Sequence, residues 1–334
     1  MARMRAIKVE KPGSDFRLVQ VEIPEPRKNE VLVKVEACGV CRGDAIVKEG
    51  IFPGLTYPRI PGHEVIGTVA ALGSGVEGWS IGQRVGIGWR GGSCRKCPAC
   101  RQGDFRACEQ PLTTGISVDG GYADYMTARV EVLAPIPAEL SSAEAAPLLC
   151  AGRTTFAALR SSNARAGDLV AIQGLGGLGH LAVQYAAKMG FRPVALSRGK
   201  EKEAAALKLG AVRYLDAETT EAATELKQMG GAKVIICTAP NARSIAGVLA
   251  GLSRNGQAVL TAASREPLQI PPGLLIGSGR SIVGSGAAEP GDAIGFSVQA
   301  KVLPIVECFP LEDAAKAYEK MMAAKVHFRS VLKM

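Results

Sequence analysis

The chain has 334 residues, with 40 Lys+Arg against 31 Asp+Glu and 47% hydrophobic and 21% charged residues. That length predicts two domains and that composition a large buried core, which excludes a disordered chain, a collagen-like repeat and a small disulfide scaffold. The formal charge of +9 rests on scattered basic residues and aromatics make up only 5%, so neither a nucleic-acid stripe nor a base-stacking platform is expected, and the excess reads as a solvated surface or as attraction for a phosphorylated cofactor.

Met1 to Glu10 carries charges at residues 3, 5, 8 and 10 and has no apolar stretch, so no signal peptide is expected. No apolar run reaches the roughly eighteen residues of a membrane span. A cytoplasmic protein with reduced thiols follows as the expectation, and nine cysteines then need an explanation other than disulfides.

Up to about residue 150 the sequence is rich in Gly, Pro and short β-type runs. Ala6–Val9 and Val31–Val35 alternate or are β-branched, and Pro24, Pro26, Pro53, Pro58 and Pro61 punctuate them. This part predicts a loop-rich β domain. From Asp168 the pattern changes. Short apolar runs at Leu169–Gln173, Pro193–Leu196, Val234–Cys237 and Ala258–Thr261 alternate with helical segments near 178–189, 200–209, 219–229 and 242–252. Alternating β and α elements predict a doubly wound parallel sheet. The tail, 285–334, leaves that rhythm, with one helix over Leu311–Ala324 and a strand at Arg329–Leu332.

Leu169–Gln173 runs directly into Gly174-Leu175-Gly176-Gly177-Leu178-Gly179, followed by a helix carrying Leu181, Val183 and Ala186. This is strand, G-x-G-x-x-G, helix, the setting in which the motif binds a dinucleotide. Gly174 permits the tight turn, Gly176 lets a pyrophosphate approach, and Gly179 lets helix and strand pack closely. Free N–H groups at the helix start, after Gly177 and Leu178, hold the phosphates. An NAD site usually has an acid at the end of the second strand. Here Ser197-Arg198-Gly199-Lys200 stands there, and the first carboxylate is Glu201. Ser197 and Arg198 suit a 2′-phosphate, so NADP(H) is expected, with NAD(H) as the alternative. Lys202 and Thr238 are counted with the cofactor-binding residues.

Cys94, Cys97, Cys100 and Cys108 form C-x2-C-x2-C-x7-C in a polar segment. Four thiolates spaced so closely suit a closed tetrahedral zinc site; an iron–sulfur cluster also takes four cysteines, though the usual runs are spaced differently. Cys41, His63 and Cys150 stand in the contexts Gly39-Val40-Cys41-Arg42-Gly43-Asp44, Pro61-Gly62-His63-Glu64 and Pro147-Leu148-Leu149-Cys150-Ala151-Gly152. Spacing alone does not pair them. Cys38, Cys237 and Cys308 read as buried small hydrophobes. His180 reads as part of a helix start and His327 as a surface or cofactor-adjacent residue.

These three segments, the four-Cys lobe and the glycine loop occur in the order found in the zinc-dependent medium-chain alcohol dehydrogenases, and over essentially the whole length the chain resembles their shorter microbial members. The resemblance implies a GroES-like zinc catalytic domain of residues 1–152 and 285–334 and a Rossmann dinucleotide domain of residues 153–284. It implies a catalytic zinc on Cys41, His63 and Cys150, with Glu64 as a transient ligand and Asp44 fixing the second ring nitrogen of His63. It implies one further, structural zinc per chain on the four-Cys lobe. Arg42 and Arg329 would contact the cofactor pyrophosphate, Thr154 would lie near the nicotinamide, and Phe52, Trp89 and Ile116 would line an apolar pocket for a hydrophobic alcohol, aldehyde or ketone. A homo-oligomer, dimer or tetramer, is implied, with a small-molecule substrate and no nucleic-acid or membrane partner.

One position departs from the family pattern. Two residues after the first zinc cysteine the family carries Ser or Thr, whose hydroxyl starts the proton relay; here it is Gly43, and Ala45-Ile46-Val47 supplies no histidine further on. The reading offers ordered water in the space left by Gly43, a reaction that dispenses with the relay (reduction of an imine or a conjugated C=C bond), or a roomier, slower site. A non-catalytic zinc- and nucleotide-binding paralogue is the alternative outside enzymes. On this reading Gly43→Ser should raise turnover of a simple alcohol.

Overall fold

The computed structural model describes residues 2–52, 54–285 and 288–334. Pro53 of the turn prolines and Met1 of the charged N-terminal segment lie outside the described residues. The chain divides into two compact units, Met1–Cys150 with Ile305–Met334, and Ala151–Pro304.

The first unit is built on the strand Glu30–Val40. Val31, Val33 and Val35 are buried while Lys34 is exposed, the period-2 pattern of a strand with one face on a core. From Ala37 to Val40 every residue is buried, so the end that leads into Cys41 is covered on both faces. The strand pairs antiparallel with Val65–Leu72, Arg329–Lys333 and Tyr125–Arg129. The sheet continues through Arg84–Ile87 to Leu133–Pro135 on one side and to Val306–Pro310 on the other. Register decides what meets at the buried end. Val40 faces Ser330 and Cys38 faces Val65, so Cys41, Glu64 and Arg329 arrive at the same edge from three strands. The two antiparallel strands Arg3–Lys8 and Arg17–Glu22 cover this unit's core, together with the tail helix Ala314–Met322.

The second unit is a six-stranded parallel sheet in the order Arg213–Asp216, Arg192–Ser197, Leu169–Gln173, Ala232–Cys237, Leu252–Leu260, Ser281–Gly284. Every residue of Leu169–Gln173 is buried, as a strand sandwiched between helices requires. The strand order reverses at this strand, which marks the end of the sheet where ligands bind in such folds. The helices are shorter than the sequence expectation: Gly179–Lys188, Glu203–Lys208, Ala222–Gln228 and Ala242–Val248.

Two sequence expectations are corrected. The chain leaves the second unit at Ile305 rather than at 285. Ser281–Gly284 extends the parallel sheet, and an unanticipated helix, Pro290–Ala300, stays with it: Ser297 Oγ lies 2.7 Å from Tyr185 Oη, and the Phe296 and Phe156 rings are 5.4 Å apart. Gly291 and Gly295 weaken its helical signal. Cys308 is exposed, not buried, because it alternates with Phe309, which takes the core side of the edge strand Val306–Pro310. Cys38 and Cys237 are buried as expected of small hydrophobes. Among the described residues no helix is long and apolar enough to cross a membrane.

Candidate functional site

Cys41 caps a single 3-10 turn, Arg42–Asp44, at the end of Glu30–Val40. The Cys41 N–H donates to Asp44 Oδ2 at 2.9 Å, and the Gly43 N–H lies 3.5 Å from Cys41 Sγ. The turn thus folds Asp44 back beneath the thiol. Asp44 Oδ1 stands 3.1 Å from His63 Nδ1, with both side chains almost wholly buried. A carboxylate only accepts, so the imidazole donates from Nδ1, and the neutral ring that a metal would take carries its lone pair on Nε2. That Nε2 is buried and, among the described residues, has no hydrogen-bond partner. An orphaned acceptor of this kind costs free energy unless something coordinates it.

The donors around it are chosen for a metal. Ligand atoms of Cys41, His63, Glu64 and Cys150 all lie within 4.8 Å of one another. Cys150 comes from a five-residue π-type turn, Leu148–Gly152, between the helices Ser142–Pro147 and Arg153–Arg160; such wide turns cluster at functional sites. The Cys41 and Cys150 sulfurs are 3.9 Å apart. A disulfide needs about 2 Å, whereas two thiolates on one tetrahedral zinc sit about 3.8 Å apart for Zn–S bonds of about 2.3 Å. The residues fit zinc. The hydrogen bond from Cys150 holds the Cys41 thiol well below its usual range, against burial and with help from His63 and Arg329, which favours the ligating thiolate. Burial lowers His63, but the charges of Asp44 and Cys41 outweigh it and raise the ring well above its ordinary range.

Glu64 is wholly buried and its carboxylate is pushed up to about 7 by burial, although the Arg329 guanidinium opposes this. Arg329, expected at the cofactor, is found buried with Nη2 on both Glu64 oxygens; its Nε has no partner among the described residues. The carboxylate needs Gly39, where a Cβ would stand 1.9 Å from Glu64 Oε2. Tyr122 was not anticipated from sequence. It is fully buried and donates from Oη to Asp44 Oδ2 at 2.8 Å, which completes a chain from Tyr122 through Asp44 to His63. Its only sequence signal is a hydroxyl among the apolar residues of a core.

Gly43 stands close to two aromatic rings. A Cβ there would stand 2.9 Å from His63 Cε1 and 2.9 Å from Trp89 Cζ3. Trp89 and Ile116 share one apolar cluster with Val47, while Phe52 is 46% exposed and lies outside it. Arg42 is exposed beside Cys41. Cys38 is outside the ligand group.

The four cysteines of the lobe also gather within 4.8 Å. The Cys94 N–H donates to Cys108 Sγ at 3.2 Å, the Cys97 N–H lies 3.4 Å from Cys94 Sγ, and Cys94 and Cys100 sulfurs are 3.9 Å apart. The lobe's apolar cluster consists of the cysteines themselves and Ala99. A segment with that little to bury is of the kind that a bound metal holds together.

In the second unit Gly174 has φ +96°, where a side chain is strained, and a Cβ on Gly179 would stand 1.9 Å from Gly174 O. Thr238 Oγ1 donates to the carbonyls of Gln173 and Gly174 at 3.0 and 2.8 Å, and Lys202 Nζ to that of Leu175 at 3.1 Å. Gly176 is exposed and a Cβ there would meet nothing within 4 Å, so the protein itself makes no demand for glycine at that position. Leu178 is the N-cap of the helix Gly179–Lys188, with Gly177 half-buried before it. His180, buried, sets Nδ1 3.1 Å from Gly176 O. Thr154 is half-buried in the helix Arg153–Arg160.

The second strand ends at Ser197, with Arg198 exposed. Register brings an acid that sequence order hid: Asp216 lies opposite Ser197. Its oxygens are already taken, Oδ1 by the Gly199 and Glu218 N–H groups and Oδ2 by Thr219 Oγ1, and these bonds, the Glu218 N–H first, hold it below the usual carboxylate range. Glu201 folds its carboxylate back over Gly199.

Comparison with known proteins gives two family matches: an alcohol dehydrogenase GroES-like domain over residues 27–138 and a zinc-binding dehydrogenase domain over residues 177–297. "Alcohol dehydrogenase notN" of Aspergillus sp. (strain MF297-2) is 44% identical over 96% of this chain and 95% of its own length. An alcohol dehydrogenase of Geobacillus stearothermophilus is 38% identical over 99% of both chains. Among solved structures, the CAD from Helicobacter pylori complexed with NADP(H) superimposes with a TM-score of 0.88 at 25% identity, over 99% of this chain and 98% of that one.

Proposed function

Because the chain belongs to the zinc-dependent medium-chain dehydrogenase/reductase family and is by class an NAD(P)-dependent alcohol dehydrogenase, we propose that Cys41, His63 and Cys150 hold its catalytic zinc and that it interconverts hydrophobic alcohols with aldehydes or ketones, using NADP(H) in preference to NAD(H). The observation that carries this is the buried, unpartnered Nε2 of His63 facing two cysteine sulfurs and a carboxylate. Zinc bound there supplies Lewis acidity at the substrate oxygen, and the nicotinamide carries the hydride.

The chain's own groups do the rest. Asp44 and Tyr122 hold His63 in one tautomer. Arg329 keeps the Glu64 carboxylate close to the thiolates, available as an additional ligand. The four-Cys lobe holds a second, structural zinc. The loop Gly174–Gly179 takes the pyrophosphate, with Gly176 open to it. Arg198, Lys200 and Lys202 outnumber Glu201 around the end of the second strand, and Asp216 already accepts from two backbone N–H groups and the Thr219 hydroxyl. That balance favours a 2′-phosphate. Arg42 and Thr154 are assigned to the pyrophosphate and nicotinamide ends of the cofactor, and Trp89 and Ile116 to the substrate wall. A homo-oligomer in the cytoplasm completes the proposal.

A second reading rests on Gly43. Without a hydroxyl there, reduction of an imine or a conjugated C=C bond, which needs no alcohol relay, is the rival within enzymes. The test is one panel of primary and secondary alcohols, aldehydes, a cyclic imine and an enal, run with both cofactors on protein of measured zinc content. Turnover of an alcohol–aldehyde pair, at least about tenfold better in kcat/KM with NADP(H), is expected. Turnover confined to the imine or enal refutes the alcohol assignment, and equal use of NAD(H) refutes the cofactor preference.

A further inference from the structure

The turn that carries Ser197 and Arg198 hinges on its loosest residue. Gly199 has φ +72°, a conformation that glycine enters and leaves at little cost, so the turn has little stiffness of its own. The neighbouring strand Arg213–Asp216 grips that one residue on both sides. The Gly199 N–H donates to Asp216 Oδ1 at 2.9 Å, and the Gly199 carbonyl accepts from Tyr214 Oη at 2.5 Å. Tyr214 and Asp216 stand two apart on the strand, so their side chains share a face.

Both gripping groups are themselves fixed. Asp216 also accepts from the Glu218 N–H at 3.0 Å and from Thr219 Oγ1 at 3.2 Å. Tyr214 is buried; burial pushes its phenol up, and the Ser197 hydroxyl beside it opposes this. The Ser197 carbonyl is tied as well, accepting from the Ala217 N–H at 2.8 Å. Arg198, exposed, thus stands between two anchored residues.

We propose that Tyr214 and Asp216 are positioning residues for the cofactor's 2′-phosphate, a clamp that sets the Ser197–Lys200 turn before the cofactor arrives. The inference rests on the reading of this turn as the 2′-phosphate site. A turn already in its bound shape is not ordered at the expense of affinity, and only a cofactor with a 2′-phosphate gains from it. Asp216 then works for NADP(H), although an acid near the adenosine ribose ordinarily serves NAD. An Asp216 acting by charge alone would repel the 2′-phosphate, so the two roles predict opposite signs when the carboxylate is removed.

The test uses the full chain and needs no turnover. Y214F, D216A and D216N are compared with the native protein by amide hydrogen exchange over residues 197–203 without cofactor, and by fluorescence titration with NADPH and with NADH. D216A should exchange at least about tenfold faster and bind NADPH about tenfold more weakly, the scale of one lost hydrogen bond to a charged acceptor, with NADH within about twofold of native. Y214F should move both readouts the same way by about threefold. D216N, whose amide oxygen still accepts both backbone N–H groups, should stay near native in both, the rescue that a positioning role requires. NADPH binding that is tighter or unchanged in D216A, or native exchange in both D216A and Y214F, overturns the clamp. If D216A fails to fold, weaker NADPH binding in Y214F with native binding in D216N supports the proposal, and an unaffected Y214F or a D216N that gains NADPH affinity overturns it. Native protein that binds NADH as tightly as NADPH would sink the cofactor reading, and the exchange rates then decide by themselves whether the clamp holds the turn.

Discussion

Asp44 binds three partners with two oxygens: the Cys41 N–H, the Tyr122 hydroxyl and the His63 ring. It couples the thiol, the imidazole and the core in one buried charge. Asp44→Asn keeps the shape but puts a donor where acceptors are needed, and zinc affinity at the open site should fall about 10–100-fold, as read by competition with a chromogenic chelator. Tyr122→Phe removes one hydrogen bond to that carboxylate, worth about 1–3 kcal/mol for a charged acceptor, and should weaken zinc in the same assay by a smaller factor; unchanged affinity in both variants would show that the ring needs no such support. How far sequence reaches is visible in these neighbours. Asp44 was legible because it lies three residues from Cys41 in one short motif. Tyr122 was not, since it lies 78 residues from Asp44 and a buried tyrosine looks like core until its hydroxyl is placed. Gly43 departs from the family pattern in the sequence itself, but only the structure shows that a Cβ there would stand 2.9 Å from both His63 Cε1 and Trp89 Cζ3.

Among elements, the turn Gly174–Gly179 separates two roles of glycine. Gly179 lies against the carbonyl of Gly174, whereas Gly176 faces open space. Gly179→Ala should therefore lower the melting temperature with or without cofactor, because a Cβ forces strand and helix apart. Gly176→Ala should leave the apo melting temperature within about 1 °C, an exposed position free of strain, and yet weaken NADP(H) binding by about tenfold or more in a fluorescence titration. A stability loss in Gly176→Ala, or cofactor affinity unaffected by it, contradicts the assigned approach of the pyrophosphate. Strand, loop and helix were readable here because periodicity and glycine spacing are local. The helix Pro290–Ala300 was not, its two glycines diluting the signal, and the exposure of Cys308 follows from which face its edge strand turns to the core. Asp216 shows the same limit: only strand register reveals that it stands beside Ser197, and only the folded turn shows the Gly199 and Glu218 N–H groups and the Thr219 hydroxyl donating to it.

At the scale of the whole molecule, the two units carry different kinds of candidate site. One gathers the metal donors at the buried end of an antiparallel sheet, and the other presents a glycine loop at the switch point of a parallel one. The division into a β-rich part and a doubly wound part was legible from composition and rhythm, while the chain's return at Ile305 was not, because Ser281–Gly284 and Pro290–Ala300 are held by partners distant in sequence. Under the proposed function, zinc would hold together a lobe that has almost no apolar content and would bind a second time at Cys41, His63 and Cys150. The most direct measurement is an anomalous difference map collected at the zinc absorption edge from crystals of the purified protein. Two peaks per chain are expected, one amid Cys94, Cys97, Cys100 and Cys108, and one bonded to Cys41, His63 Nε2 and Cys150. A chain with no peak at the second position, or with His63 turned away from it, would contradict the account.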